Sequence, residues 1–415
     1  MTNILSLNED CLLQIIEYLS LEEQLELWQA TESTSRLCSV ISYAWQRQSK
    51  HCVRRETFSG RPVLLQDYLK CISSTVEELT LCHLPMEQLE RWKDHTFPNV
   101  KKLYYLGDFL RDEDDEVDVD ADIAILVNCF PQLESLGISG NTSGQYISQW
   151  RLLRRLDLQL CFYLDSQCFE DICQKLRLQT LCVQWRRFEA DDYVPAISML
   201  QELTELDLDI IHLSPEIARK LLSLPKLKRL RLHGMDNFDD VLKVIGQQRR
   251  QDLVAITCRD YIISWRPLIL TRLENLRRFT LVDDEGDYDI GLSLIIKSFP
   301  RLEQLHLENS RFWPNADDIW EVVAGCPQLN LITISAPDRP NEFIASSSAS
   351  SMQRVLNQRL KPLSIHFHGT GNEELITKLF VHRKLEVLCK SKDYAVSQVP
   401  EECVEFEFLV LETSS

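Results

Sequence analysis

The stretch Leu153-Arg-Arg-Leu-Asp-Leu158 carries the pattern on which most of the chain is built. Residues two apart in a β-strand point to the same side, so Leu156 and Leu158 are expected to face a core while Asp157 faces outward. The same spacing of apolar residues returns every 23 to 27 residues, which predicts a stack of similar units. Eight consecutive copies begin at Leu153, Leu178, Leu203, Leu227, Leu253, Leu276, Leu302 and Leu329.

Further copies lie on both sides of these eight, and helical spacing follows many of the strands. Phe169, Ile172 and Cys173, for example, fall on one face of a helix. One strand and one helix cannot bury their own apolar edge, but stacked copies can. The further copies begin at Val76, Val100, Leu133, Leu360 and Leu385.

These residues resemble the cysteine-containing subfamily of leucine-rich repeats, over about residues 70–390. The resemblance implies an α/β solenoid with a curved parallel sheet and helices on its convex side. We expect the repeats at residues 76–390, after a linker or capping segment at 51–75. Val404-Glu-Phe-Glu-Phe-Leu-Val-Leu411 alternates in polarity, which predicts a last strand that closes the array within a C-terminal segment of 391–415.

Two segments interrupt the period. Residues 111–122 are strongly acidic, which is typical of a solvated loop, with a docking strip as the alternative. Residues 345–351 are rich in serine, which predicts a mobile loop open to phosphorylation.

The first fifty residues have a different pattern, with apolar side chains at helical spacing. Asn8 is a candidate cap for a first helix, and Ser20 is a candidate cap for a second. Three short helices bury proportionally little surface, so their surplus apolar surface is expected to need a partner. The third helix is predicted from Leu37, Val40, Ile41, Ala44 and Trp45.

This head, residues 1–50, resembles an F-box. Asn8 stands where the family usually has proline, and residues 33–36 lack a tryptophan that is usual there. Trp45 matches a tryptophan often found near the end of the motif. The positions that match its first helix are Leu7, Asp10, Leu12, Ile15, Ile16, Tyr18 and Leu19, and those of its second are Leu21, Leu25 and Leu27.

The resemblance implies a substrate-recognition subunit of an SCF-type cullin ubiquitin ligase. The head would dock on a Skp-family adaptor, which joins it to the cullin scaffold, and the repeats would bind the protein to be ubiquitinated. The alternative is a free-standing leucine-rich-repeat binding or inhibitory protein whose helices only cap the first repeat. The adaptor contacts expected from the resemblance are Leu7, Leu12, Ile15, Ile16, Leu19, Leu21, Leu25 and Trp28.

Charge and motifs exclude several other functions. A net charge of −18 is unfavourable for binding nucleic acid through its phosphates. Phosphate-loop, nucleophile-elbow and zinc-protease motifs are absent, so we expect a non-catalytic protein without a cofactor. The fourteen cysteines form no C-x-x-C pair, and His366 and His368 make at most half a zinc site, so no metal is expected. Without a secretory signal or a membrane-spanning stretch, we expect an intracellular protein, cytoplasmic or nuclear.

Basic side chains are expected on the outward face of the repeat strands, where they could bind an acidic or phosphorylated substrate. Trp185 and Tyr104 are expected near the same face as aromatic anchors. The alternative is that the neighbouring acidic strand, with Glu205, Asp207 and Asp209, neutralises this patch. The predicted patch consists of Arg229, Arg231, Arg259 and Arg278.

Overall fold

The computed structural model divides the chain into two compact units. The first is Met1–Arg187 with Pro195–Leu203, and the second is Phe188–Val194 with Thr204–Ser415. Within the residues that the structure describes, no helix is long and apolar enough to cross a membrane. The described residues are 7–31, 35–107, 119–161, 163–184, 190–209, 213–234, 238–259, 273–282, 299–308, 317–335, 349–369, 371–390 and 403–409.

The first unit begins with three helices and continues as alternating strands and helices. Its six strands pair in chain order, and every pair is parallel. Its helices are α1 (Glu9–Tyr18), α2 (Leu21–Ala30), α3 (Arg36–Arg47), α4 (Pro62–Ile72), α5 (Met86–Leu89), α6 (Asp120–Cys129) and α7 (Ser166–Lys175). Its strands are β1 (Lys50–Arg54), β2 (Glu78–Cys82), β3 (Lys102–Leu106), β4 (Ser135–Ser139), β5 (Arg155–Gln159) and β6 (Thr180–Gln184).

After helix α8 (Ala190–Ile197), the described residues of the second unit form nine strands in the order β7-β8-β15-β9-β10-β11-β12-β13-β14. Its helices are α9 (Pro215–Leu222), α10 (Phe238–Gln248), α11 (Asp317–Gly325), α12 (Ala349–Gln358) and α13 (Glu373–Leu379). Its strands are β7 (Glu205–Asp209), β8 (Arg229–His233), β9 (Leu253–Arg259), β10 (Arg278–Val282), β11 (Gln304–Glu308), β12 (Leu331–Ser335), β13 (Leu363–His368), β14 (Leu385–Lys390) and β15 (Cys403–Phe408).

The repeat pattern read from the sequence is confirmed. Each of the thirteen predicted copies carries a strand, and the strand usually begins two residues after the first apolar position. In β5, Leu156 and Leu158 are fully buried while Asp157 between them is half-buried. Parallel strands in register, with helices in many of the described connections, give the chain the leucine-rich-repeat fold. The curvature predicted from the resemblance stays a prediction.

Residues 51–75 are more than a linker. They contain most of β1 and all of α4, and β1 pairs with β2 in the same parallel register as the later strands. The strand-and-helix pattern therefore begins immediately after the head. The sequence pattern did not reveal this first strand-and-helix repeat, because Lys50–Arg54 lacks the leading leucines of the other copies.

The structure describes part of each interrupting segment. Most of the acidic segment, and residues 345–348 of the serine-rich one, lie outside the described residues. Residues 349–351 begin α12 instead of belonging to a loop. Asp122, the last residue of the acidic segment, is buried in α6 and accepts a hydrogen bond from the Tyr105 hydroxyl at 2.5 Å. The expectation of a fully solvated loop is therefore wrong at its C-terminal end.

The C-terminal segment forms the predicted strand, but its predicted place at the end of the array is wrong. β15 lies between β8 and β9 and runs antiparallel to both. It is the only antiparallel strand among the described pairs. Alternation reveals a strand and its buried face, whereas its neighbours are set by contacts with residues far away in the chain.

Candidate interaction sites

The three head helices begin at side-chain caps. Asn8 Oδ1 accepts a hydrogen bond from the Cys11 amide at 2.8 Å. The Ser20 amide donates to Glu23 Oε2 at 2.7 Å, and the Glu23 amide donates to Ser20 Oγ at 3.3 Å, which makes a capping box. The two caps predicted from the sequence are therefore confirmed, and they fix where α1 and α2 start.

A buried glutamine joins the three helices. The Gln24 amide nitrogen donates to the carbonyl oxygens of Ile16 at 2.8 Å and Leu19 at 2.9 Å. Trp45 Nε1 donates to Gln24 Oε1 at 2.7 Å. Gln24 thus gives the Ile16 carbonyl a second donor besides the Leu19 amide, and it supplies a donor to the Leu19 carbonyl just after α1. Sequence reasoning missed it, although a polar residue between Leu21 and Leu25 on the buried face of α2 was a signal.

An aromatic chain joins the head to the first strand-and-helix unit. The ring centroids of Trp28 and Trp45 are 4.9 Å apart, and those of Trp45 and Tyr68 are 5.1 Å apart. The Tyr68 hydroxyl lies 2.7 Å from His51 Nδ1. Burial raises the pKa of Tyr68 and lowers the pKa of His51, so it favours the neutral form of both side chains. The head therefore covers the beginning of the repeat array.

The residues predicted to contact an adaptor divide into two groups. Leu12, Ile16 and Leu25 are at most 1% exposed, so they form the core of the head and present no surface. A partner could contact only the others directly. Those half-buried side chains are Leu7, Ile15, Leu19, Leu21 and Trp28.

Among the described residues of the head, the most exposed apolar side chain is Tyr18, which is 92% exposed. Cys11, Ile15 and Tyr18 lie at positions i, i+4 and i+7 and share one face of α1. We call these three residues the α1 strip. Leu19 and Leu21 continue from it through the turn into α2. An apolar strip outside the core of a small helical unit is the kind of surface that a protein partner covers.

The strand arginines point outward, as the sequence predicted. In β8, Leu230 and Leu232 are buried, and Arg229 and Arg231, which alternate with them, are half-buried. Arg259 lies half-buried at the end of β9, in register with Val282. The register on which the predicted patch depended is therefore confirmed for β8.

Acidic side chains neutralise most of this patch. Arg231 Nε is 2.5 Å from Glu405 Oε2, and Arg278 Nη2 is 2.5 Å from Glu407 Oε1, both acids being on β15. Arg229 lies 3.8 Å from each of these carboxylates. Neutralisation was the alternative reading, but β15 supplies the shorter contacts. Three of the four predicted arginines therefore have acidic partners on β15.

The acidic strand next to β8 contributes more weakly. Arg229 lies 3.9 Å from Glu205, and Arg231 lies 3.9 Å from Asp207. His233 Nε2 contacts Asp207 Oδ1 at 2.7 Å. Burial by itself would lower the pKa of Arg231, but Glu405 and Asp207 raise it above its ordinary value. Arg231 is thus held as a charged partner inside an alternating row of acids and bases.

Tyr104 belongs to the first unit and the arginines to the second, so no single unit brings them together. The Tyr104 ring lies flat across Gly137 of the next strand, where an added Cβ would be 2.6 Å from Cε2. Its hydroxyl donates to Gln159 Oε1 at 3.3 Å. Burial, and then Asp157, raise the pKa of Tyr104. Trp185, the other predicted anchor, lies outside the described residues.

Histidines and cysteines form no evident metal site. In the described part of the chain, no group of three or more His, Cys, Asp or Glu side chains could hold a metal ion. The rings of His366 and His368 are 6.4 Å apart. All fourteen cysteines are free thiols, and burial raises the pKa of Cys129 and Cys161 to about 12. Cys161 Sγ instead donates to the Gly140 carbonyl at 3.1 Å, which is a structural role.

Comparison with known proteins finds no relative by sequence. No family model and no curated protein matches the chain. Among solved structures, the Rad7 and Elc1 complex from yeast matches at 13% identity and a TM-score of 0.40, covering 91% of this chain and 92% of that one. An internalin (inlF) from Listeria monocytogenes matches at 12% identity and a TM-score of 0.28, covering 93% and 98%. TLR13 in a complex with ssRNA13 matches at 16% identity and a TM-score of 0.37, covering 84% and 47%.

Proposed function

We propose that this chain is the substrate-recognition subunit of an SCF-type cullin ubiquitin ligase. Its head would dock on a Skp-family adaptor that joins it to the cullin scaffold, and its repeats would bind the protein to be ubiquitinated. The observation that carries the proposal is the α1 strip, an apolar surface outside the core of a three-helix head that precedes leucine-rich repeats. The residues of this head are those that resemble an F-box.

The departures from the F-box pattern are compatible with this role. Asn8 replaces the usual proline, and its side chain caps α1 with a hydrogen bond to the Cys11 amide. A proline at this position would also favour a helix start, because its backbone angle is fixed. Asn8 therefore supplies, through a side-chain hydrogen bond, the helix start that a proline would favour through its fixed backbone angle.

The division between core and surface refines the adaptor contacts. Substituting Leu12, Ile16 or Leu25 would unfold the head, because these residues fill its core. Ile15, Tyr18, Leu19 and Leu21 are the contacts that the proposal needs. The adaptor-binding role of the head therefore depends on residues that can be changed without emptying its core.

The alternative is a free-standing leucine-rich-repeat binding or inhibitory protein with a helical cap. The row of aromatic side chains from Trp28 through Trp45 to Tyr68 favours a capping role, because it packs the head against α4 of the first strand-and-helix repeat. A cap, however, has no use for an aromatic side chain that is 92% exposed, as Tyr18 is. The two functions differ in whether a stoichiometric adaptor is bound.

The test is co-purification of the full chain with a Skp-family adaptor and cullin. Tyr18→Glu should weaken adaptor binding more than tenfold, since a central aromatic contact contributes about 2 kcal/mol or more. Tyr43→Glu is the matched control, because Tyr43 is also an exposed tyrosine of the head but lies on α3. Lack of adaptor binding by the unaltered chain would favour the capping alternative.

A further inference from the structure

The second unit contains a gap in its repeat stacking. β8 and β9 follow one another in the chain, yet neither pairs with the other, because β15 lies between them. Phe406 is in register with Leu230 on one side and Ile256 on the other. The other neighbouring repeats of this unit, from β9 to β14, pair directly. The space between β8 and β9, which we call the strand slot, therefore accepts an extended segment from elsewhere.

The buried face of the slot selects apolar side chains. Val404, Phe406 and Phe408 are at most 4% exposed. The guanidinium carbon of Arg249 lies 4.4 Å from the centre of the Phe408 ring. The Phe408 amide donates to the Lys228 carbonyl at 2.7 Å, so main-chain bonds continue to the end of the strand. The slot thus combines sequence-independent main-chain bonding with apolar pockets on alternate residues.

The outward face of the slot selects acidic side chains. Glu405 is in register with Arg231, and Glu407 with Arg229. Glu407 also reaches Arg278 two strands away, because the residue in between is the small Ala255, in register with both. Two glutamates two residues apart therefore meet three arginines. Charge-assisted pairs of this kind give geometric specificity as well as energy.

We propose that the strand slot is the substrate-recognition site, and that it binds an extended acidic segment of a target protein in which glutamates alternate with apolar residues. β15 is then the chain's own competitor for that site. Addition of a strand to a sheet is a common mode of peptide recognition, in which main-chain bonds give affinity and alternate side chains give specificity. The proposal rests on the proposed function and names its substrate class.

The covalent attachment of β15 to the rest of the chain favours β15 over a separate segment in the strand slot. A covalently attached strand acts at an effective concentration of about millimolar, so it excludes weaker ligands in trans. Weakening the charge pairs of β15 should shift occupancy towards an added segment that still carries both glutamates. The experiment therefore measures replacement of β15 by an added segment, with the repeats themselves unchanged.

The test uses the full chain with Glu405→Lys and Glu407→Lys together. The probe is a fluorescent peptide with the chain's own residues 401–411. We expect it to bind this variant at least tenfold more tightly than the unaltered chain, because like charges now oppose Arg231 and Arg229 in the tethered strand. A control peptide with Glu405 and Glu407 replaced by lysine, and Glu401 and Glu402 unchanged, should bind the variant more than tenfold more weakly, since a charge-assisted bond contributes about 1.5–3 kcal/mol.

A second arm covers the case in which that variant does not fold. A protease site is inserted between Asp393 and Tyr394 of the otherwise unaltered full chain, and the site is cut after folding. The cut strand should stay bound and should exchange with the acidic peptide but not with the lysine peptide. Equal binding of the two peptides, or no exchange, would overturn the proposal. So would a stable dimer of the unaltered chain that exchanges β15 between copies.

The outcomes remain distinct from those of the proposed function. Neither arm changes a residue of the head, so adaptor co-purification is measured on the same proteins. If β15 exchanges with the acidic peptide but the chain binds no adaptor, the strand slot would be supported as a peptide-binding site and the ligase role would be contradicted. Adaptor binding without acid-selective exchange would support the ligase role and would show that the substrate binds at a site other than the strand slot.

Discussion

Strands β2 to β5 and the group β8, β15 and β9 are built from the same kind of repeat but are assembled differently. Each of β2 to β5 pairs with the strands that come directly before and after it in the chain. In the second group, the chain's last described strand separates two consecutive repeats. The spacing of apolar residues within each repeat copy is the same in both regions. Local spacing therefore fixes what each strand is, and long-range contacts fix which strand it joins.

The largest expected effect comes from removing the buried centre of the inserted strand. Phe406→Ala should destabilise the second unit by about 3–5 kcal/mol, because it empties a fully buried position that packs between two repeats. Chemical denaturation of the full chain measures this change. Leu409→Ala is the control, since Leu409 is 44% exposed and should change stability by less than about 0.5 kcal/mol. Equal effects of the two substitutions would show that β15 is not packed as described.

The charged face of β15 should contribute less to the stability of the second unit than its apolar face. Arg231→Ala removes the 2.5 Å pair with Glu405, whose carboxylate is buried, and should cost about 1.5–3 kcal/mol. Arg229→Ala removes only pairs at 3.8 to 3.9 Å and should cost less than about 1 kcal/mol. Denaturation at low and high salt would compare the two. A larger loss from Arg229→Ala would contradict this ranking.

In the region with direct pairing, a single glycine should show how tightly neighbouring strands pack. Gly137→Ala places a Cβ against the Tyr104 ring and should destabilise the first unit by about 1–3 kcal/mol. The same substitution should cost clearly less when Tyr104→Ala is already present, because the ring is gone. A double-mutant cycle measures this coupling. Additive effects would mean that Gly137 matters for another reason.

Stability is also expected to depend on pH. Burial, and then the Arg278 charge, lower the pKa of His306 to about 4. In the unfolded chain the ordinary value is near 6.5, so the unfolded state binds more protons as the pH falls from 6.5 towards 4. Stability should therefore decrease over that window, by about 2 kcal/mol at pH 5. His306→Gln should reduce this dependence, which denaturation at pH 7 and pH 5 would reveal.

The candidate sites were predictable to the extent that their determinants are local. Asn8 and Ser20 cap helices within three residues of themselves, and both caps were predicted. The outward direction of Arg229 and Arg231 followed from alternation within one strand. Gln24 was missed because its partners lie on two other helices. The burial of Leu12 and Ile16 was missed because one apolar stripe looks the same whether it faces a core or a partner.

The sequence by itself determined the repeat period, the inward leucines of each strand and the existence of a separate helical head. These properties arise from spacing within about one repeat, where the geometry of a strand or helix is enough to assign each side chain a face. Only the tertiary structure decided where β15 lies and which charges it neutralises. Arg231 and Glu405 are 174 residues apart. Alternation makes Val404–Phe408 a strand with one apolar face in any sheet, and only the fold supplies the slot that its two glutamates match.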